Sequence, residues 1–277
     1  AQLNGTANPR GASTTAWFRY ATTSPGTCND SFGTRAPASG GSALGSGVVN
    51  VFYSQNIGGL TPATTYYYCA IASNSSGTAF GAVMSSTTPS PPEAGTTAAT
   101  NITGFAAELN GVGDPNGAAT TAWFRYDTTN PGTCDDAFGT RAPLSGGSPL
   151  GAGTTSVGYT RSVNGLSPGT TYYFCAIMQN VEGIAFGAVL SFATPTPQYT
   201  LDYFAGTNGS ISGASPQTVN HGSSGTAVTA VPDVGYHFVQ WSDTATANPR
   251  TDSTVTGNIS VTASFANDAP TIAVVGD

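Results

Sequence analysis

The sequence contains no lysine, and charged residues of all kinds make up only 8% of its 277 positions. Seven arginines stand against fourteen acidic residues, which gives a formal net charge of −7. Nucleic acids and anionic membrane surfaces are both bound through clustered Lys and Arg. The composition therefore argues against a nucleic acid partner and against binding to an anionic membrane.

Long apolar runs are also lacking. No run approaches the roughly 20 residues that a membrane helix requires, so membrane insertion is not predicted. The first residues do not form a signal peptide, and no sorting or anchoring signal is visible at the end. We expect either a chain that begins after processing or a piece of a longer protein. Disorder is not expected, because 39% apolar and 10% aromatic residues can build cores.

A recognisable active site is missing as well. The two histidines, His221 and His237, both lie late in the chain, and no G-x-S-x-G elbow is present. The acids needed for glycoside hydrolysis are scarce in most of the chain. A calcium site at Asp30 or Asp136 would need six or more oxygen ligands, and no zinc spacing occurs. We predict no enzyme activity, no cofactor and no metal site.

What the sequence does contain is a duplication. Residues 3–89 align without a gap onto residues 109–195, at a constant offset of 106, and well over half of the aligned positions are identical. Both copies have short aromatic and β-branched runs separated by Gly, Pro and Asn clusters, and no apolar pattern with helical spacing. This pattern predicts an all-β chain with two tandem β-sandwiches.

The predicted boundaries follow the duplication and the proline-rich segments. They are a first sandwich over 1–89, a Pro-rich linker over 90–98, a second sandwich over 99–195, a third β domain over 198–267 and a β-prone tail over 268–277. A candidate first strand at 96–103 precedes the second copy, whereas Ala1 already aligns with Ala107. The first sandwich is therefore expected to lack its first strand and to present an open edge.

Two segments with the same pattern, Leu60-x-Pro62-x-Thr64-x-Tyr66 and Leu166-x-Pro168-x-Thr170-x-Tyr172, resemble the signature between strands E and F of fibronectin type III domains. The Trp-Phe-Arg-Tyr segments resemble strand C of a bacterial subset of that family. The resemblance covers 1–89 and about 99–195. It implies seven-strand fibronectin type III-like or immunoglobulin-like sandwiches that serve as spacers or binding modules.

The third domain has a different pattern. Its segments GYHFVQWSD at 235–243 and ISVTASF at 259–265 resemble the divergent internalin B-repeat modules of bacterial surface proteins. The resemblance implies a small, β-rich, grasp-like stalk module without catalysis.

Four cysteines, two in each copy at a spacing of 41, predict the disulfides Cys28–Cys69 and Cys134–Cys175. Pairing across the copies would have to arise twice, and disulfides place a protein outside the cytoplasm. In the fibronectin register Tyr66, Tyr68 and Ala70 face the core, so Cys69, two residues from Tyr67, faces outward by strand alternation. The bond is expected to pin a long loop onto the outside of the sheet.

The same alternation assigns an aromatic and basic set to the outer face: Trp17, Arg19, Tyr67, Trp123, Arg125 and Tyr173. These side chains are candidates for a platform that stacks sugars or docks a protein. The alternative is that they pack under the tethered loop, which the length of that loop favours. Arg35 and Arg141 are expected to pair with Asp30 and Asp136.

Together these features predict a non-catalytic, extracellular structural or adhesive protein of a bacterial cell surface. The tail adds a candidate strand donor: Pro270, Thr271, Ile272, Ala273, Val274 and Val275. If this strand completes the first sandwich of another copy, the chain forms a head-to-tail homopolymer. Further domains of the same surface protein are the other candidate partners. The alternative function is a carbohydrate-binding accessory region of a secreted polysaccharide-degrading enzyme, with glycans bound through Trp17 and Trp123.

Overall fold

A computed structural model describes residues 1–268. Within that range the regular structure consists of 23 strands without a helix, so the predicted all-β class with tandem sandwiches is confirmed. No helix within residues 1–268 has the length and apolarity that a membrane crossing requires.

The first copy has eight strands in two sheets. They are β1 (Gln2–Ala7), β2 (Thr14–Ala21), β3 (Thr34–Ala36), β4 (Ser42–Gly45), β5 (Val51–Asn56), β6 (Thr65–Asn74), β7 (Gly77–Phe80) and β8 (Met84–Thr87). One sheet contains only β1 and β5, which are antiparallel. The other has the order β3-β2-β6-β7, with β4 also on β2 and β8 also on β6.

The second copy repeats this arrangement with one strand more. Its strands are β9 (Glu93–Thr100), β10 (Ala106–Asp114), β11 (Thr120–Asp127), β12 (Thr140–Ala142), β13 (Ser148–Gly151), β14 (Val157–Asn164), β15 (Thr171–Asn180), β16 (Gly183–Phe186) and β17 (Leu190–Ala193). The small sheet has the order β14-β10-β9, and the larger one has the order β12-β11-β15-β16. The added strand is β9, at the edge of the small sheet.

The predicted linker over 90–98 is wrong, because β9 begins at Glu93. The two prolines before it suggested an extended spacer. A proline is also tolerated at the start of an edge strand, where no ladder hydrogen bond is needed from its nitrogen. Pro92 is buried, so the segment packs onto the second sandwich from its first residues.

Strand alternation explains the core between the two sheets. The two phenylalanines Phe18 and Phe124 are at most 1% exposed, and each lies about 5 Å from a tyrosine ring of the facing strand, Tyr53 or Tyr159. Glycine is required opposite these rings: a Cβ added at Gly111 would lie 2.7 Å from Tyr159 Cζ.

The third domain has six strands, and its first and last strands are parallel. They are β18 (Gln198–Ala205), β19 (Gly209–Ser212), β20 (Gln217–Asn220), β21 (Thr229–Pro232), β22 (Tyr236–Trp241) and β23 (Ile259–Asn267). The main sheet has the order β20-β18-β23-β22, while β19 and β21 form a separate pair. The parallel pair β18 and β23 is central, as a grasp-like sheet requires, and the fully buried Trp241 lies in the core.

Candidate functional site

Both predicted disulfides are present, Cys28–Cys69 and Cys134–Cys175. In the first copy Cys28 and Cys69 belong to a small apolar cluster with Trp17, Phe32 and Ile71, separate from the core around Phe18. The bond therefore holds the loop after β2 against the outer face of the larger sheet.

The outer-face platform is not available to a ligand. Trp17 and Trp123 are only 8% and 4% exposed, because the tethered loop covers them. Tyr67 packs against the same cluster, and Tyr173, its equivalent, is half-buried. These residues therefore pack under the tethered loop, as the alternative predicted. The two tryptophans have no exposed ring face on which a glycan could stack.

Asp30 does not pair with Arg35, contrary to expectation. One oxygen of Asp30 accepts hydrogen bonds from Trp17 Nε1 at 2.8 Å and from Arg19 Nε at 3.0 Å. Burial alone would raise the pKa of Asp30, but these two donors hold it below its ordinary value. Arg35 instead stacks over the Trp17 ring at 4.6 Å and donates to the carbonyls of Pro37 and Gly40.

The second copy repeats this arrangement contact for contact. Trp123 and Arg125 donate to Asp136 at 2.8 and 3.0 Å, and Arg141 lies 4.5 Å above the Trp123 ring. The alternation of β2 placed the tryptophan and first arginine correctly. Sequence spacing could not show which arginine reaches the aspartate, because the loop folds back on itself. We assign these residues a structural role.

The open edge of the first sandwich is the candidate functional site. Its small sheet has two strands where the second copy has three. A groove of about 640 Å³ lies beside it, and its floor is formed by Ala7, Tyr53, Ala70, Ala72, Asn74 and Gly81.

Strand β9 fills the equivalent groove of the second copy. The amide of Ala176 donates to Thr96 Oγ1 at 3.0 Å. Side-chain amides bind carbonyls along the segment, each at 2.8 Å: Asn180 to Ser90, Asn116 to Pro91 and Asn110 to Ala98. A Cβ added at Gly187 would lie 2.5 Å from Thr96 Oγ1, so this position must be glycine.

Burial along the central strand shows what β9 covers. Five inward positions are buried on β15: Tyr172, Phe174, Ala176, Met178 and Asn180. Their equivalents on β6 are all only half-buried: Tyr66, Tyr68, Ala70, Ala72 and Asn74. At Gly81, the counterpart of Gly187, the three atoms nearest to an added Cβ all belong to Ala70 and lie at least 3.2 Å away. The first copy thus carries a strand site like that of the second copy, without a strand of residues 1–268 in it.

Of the other predicted site residues, the candidate donor strand 270–275 lies outside the described residues. His237 is exposed, with Nδ1 3.1 Å from Asp268, and His221 contacts the Tyr199 hydroxyl at 3.4 Å. Within residues 1–268 no group of three His, Cys, Asp or Glu side chains could hold a metal ion.

The two disulfides and the strand-only architecture define a disulfide-bonded chain of β-domains. More particularly, residues 199–269 match the family described as Divergent InlB B-repeat domain. A search of curated proteins finds no match.

Solved structures with similar folds include the sensor domain of the anti-sigma factor RsgI4 of Pseudobacteroides cellulosolvens, at 17% identity and a TM-score of 0.26, covering 38% of this chain and 89% of that one. They also include the FN1-FN3 domains of chicken CNTN1, at 13% identity and a TM-score of 0.30, covering 67% of this chain and 57% of that one. Neither likeness assigns a function.

Proposed function

We propose that this chain is a non-catalytic structural subunit of a bacterial cell surface that assembles head to tail by strand addition. In this assembly, the tail of one subunit supplies the missing edge strand in the first sandwich of the next. The observation that supports the proposal most directly is the groove beside β1 and β6, which has a filled counterpart in the second copy of the same duplication.

The groove has the properties of a strand acceptor. An unpaired sheet edge presents backbone donors and acceptors that another strand can use. Strand addition draws affinity from main-chain hydrogen bonds and specificity from the pockets that take alternate side chains. In the second copy the same site pairs β9 with β10 and adds hydrogen bonds from one backbone amide and three side-chain amides. Asn74 and Asn4 are the counterparts of two of those three asparagines.

The tail has the composition of a donor. Residues 270–275 are Pro-Thr-Ile-Ala-Val-Val, a β-prone segment without charge. It follows the last described strand, β23, after few residues. Because donor and acceptor are different surfaces of one chain, the contact is heterologous and need not close on itself, so a polymer can grow.

Deleting residues 268–277 tests the proposal. The full chain should form polymers visible by electron microscopy and sedimenting with a concentration-dependent mass, while the truncated chain should remain monomeric. Adding the free peptide 268–277 should give a one-to-one complex with the truncated chain, and a scrambled peptide should not bind.

Two results would overturn the proposal. The full chain could remain a monomer at all concentrations, or the truncated chain could form the same polymers. The second result would point to another occupant, such as a further domain of a longer surface protein.

A further inference from the structure

We infer the register in which the donated strand binds: Pro270 takes the place that Pro92 has in the second copy, so that Ile272 replaces Ala94 and Val274 replaces Thr96. This inference rests on the proposed strand addition. It adds which side chains of the tail of a second copy enter the groove and are recognised there.

Three positions of the template face inward. Pro92 is buried, and Thr96 bonds the amide of Ala176 inside the sandwich. Ala94 lies between them and shares their face, because side chains alternate along a strand. In the inferred register the inward set of the tail is therefore Pro270, Ile272 and Val274, all apolar. A shift by one residue would turn Thr271 and Ala273 inward and expose the larger side chains.

The size of the groove favours this register. In the second copy Met178 is fully buried, and its sulfur lies 2.2 Å from where a Cβ of Gly113 would be, beside the Glu93 carbonyl. The first copy has alanine at both equivalent positions, Ala72 and Ala7. The methionine is thus missing from the floor of the first groove, and the space it occupies must be filled from the donor.

Ile272 is suited to fill that space. The bonds of the template place Asn180 beside Ser90 and Ala176 beside Thr96, and Met178, which lies between them, is beside the Glu93 carbonyl. That carbonyl joins Glu93 to Ala94, so Ala94 is the inward residue of the strand next to Met178. The second copy therefore combines a large floor residue with a small donor residue. The first copy combines a small floor residue with isoleucine. Close packing penalises both the overfilled and the empty combination.

Charge supports the same register at the entrance of the groove. Asn116, which binds the carbonyl of Pro91, is replaced in the first copy by the exposed Arg10. The inferred register puts Asp268 of the donor in the position of Ser90, next to Arg10. Asp268 contacts His237 of its own chain at 3.1 Å and remains 56% exposed, so its carboxylate is accessible to a second partner.

One template contact has no counterpart in the donor. Val274 has no hydroxyl to accept the bond that the Ala176 amide gives to Thr96. Valine keeps the branched shape of threonine, so the position is filled but the bond is absent.

Cysteine crosslinking measures the register directly. A Cβ at Gly95 would lie 3.3 Å from Val112 Cγ1, so these positions are neighbours on the outward face. Their equivalents are Ala273 of the donor and Thr6 of the acceptor. All four native cysteines are in disulfides, so introduced cysteines are the only free thiols.

In the full chain carrying T6C, oxidation should give a covalent ladder with A273C and little with I272C or V274C, whose side chains point to the other face. A ladder with T271C or V275C instead would overturn the register while leaving strand addition intact. Absence of any polymer in the full chain would overturn both.

Exchanging the two size combinations tests the recognition code. The double substitution A7G/A72M gives the first groove the residues that the second copy has at these positions, Gly113 and Met178. The second sandwich accommodates this pair, so the first sandwich should fold with it. Polymerisation should then fall, and I272A should restore it. In the unaltered groove I272A alone should weaken assembly. Equal polymerisation by all four chains would show that Ile272 does not enter this space.

Discussion

At the scale of single residues, the chain repeats one arrangement three times: an arginine, a carboxylate and a tryptophan in contact. In the third domain Arg250 is bonded to Asp252 and Asp243 at 2.7 to 2.9 Å, and it lies 5.5 Å from the centre of the Trp241 ring. The Arg250 side chain is 8% exposed, so its charge depends on these two carboxylates. With so few charges in the sequence, each buried one has a defined partner.

The stability of the third domain should fall in acid because of this cluster. Hydrogen bonds from Arg250, opposed by burial and assisted by the Tyr203 hydroxyl, hold the pKa of Asp252 below its ordinary value of 3.8. A depressed pKa stabilises the fold above the unfolded value, and this contribution is lost as the pH falls through the folded value. We expect the unfolding midpoint reported by Trp241 in a W17F/W123F chain to drop below about pH 4.

Asp252→Asn is the control for that prediction. It should already be less stable at neutral pH, and its stability should depend less on pH between 5 and 3. An equally steep decline in this variant would assign the acid sensitivity to other groups.

The Thr96 hydroxyl should contribute measurably to the second sandwich. Thr96→Val keeps the shape but leaves the Ala176 amide without its acceptor, which costs about 1 kcal/mol. Hydrogen exchange at the Ala176 amide should become faster. Thr97→Val, on the exposed face of the same strand, should leave that amide unchanged.

At the scale of elements, alternation along one strand was enough to predict the disulfide loop. Cys69 and the core-facing Tyr68 are adjacent on β6, so the cysteine had to face outward, and it does. Alternation could not show that the loop covers Trp17, because coverage depends on how the chain between β2 and β3 folds back. Without knowledge of that coverage, a tryptophan on the outer face indicated an exposed binding platform. The start of β9 was missed because Pro91 and Pro92 favour a linker locally, and only packing against the sandwich makes the segment a strand.

Removing one disulfide should loosen the loop that covers Trp17. In the chain-entropy account, closing a loop of this length is worth about 4 kcal/mol. Cys28→Ser with Cys69→Ser should lower the unfolding free energy of the first sandwich by up to about that amount. It should also shift the Trp17 fluorescence toward that of an exposed indole. The matched pair Cys134→Ser and Cys175→Ser should have the same effect on Trp123, and an unshifted spectrum in both would contradict the covering role.

At the scale of the whole molecule, the duplication allows each sandwich to be compared with the other. The two sandwiches align at an offset of 106, and the strand registers of their larger sheets repeat at that offset, so the places where the copies differ stand out. The sequence predicted the two sandwiches and the open edge, since both follow from the alignment. It could not predict the depth of the groove. Nor could it predict that alanine at position 72, where the second copy has Met178, leaves a pocket, because both depend on which side chains meet across the two sheets.

A free tail peptide should stop assembly at low ratios to subunit. In the proposed assembly each growing polymer exposes one groove, and a peptide of residues 268–277 that fills it offers no further groove. We expect polymer length in electron micrographs to fall as peptide is added, with the I272A peptide less effective. Unchanged lengths at saturating peptide would contradict a single acceptor at the growing end.

Because β9 is covalently part of the chain that it completes, strand binding at the two sites should depend differently on protein concentration. In the second sandwich the strand is joined to the chain it completes, so its binding is unimolecular and does not depend on how much protein is present. In the first sandwich the proposed donor belongs to another molecule, so completion follows mass action. In the proposed assembly, the same fold thus contains a permanent site and a site with a critical concentration. Below that concentration we expect the chain to stay dispersed, and above it we expect fibres.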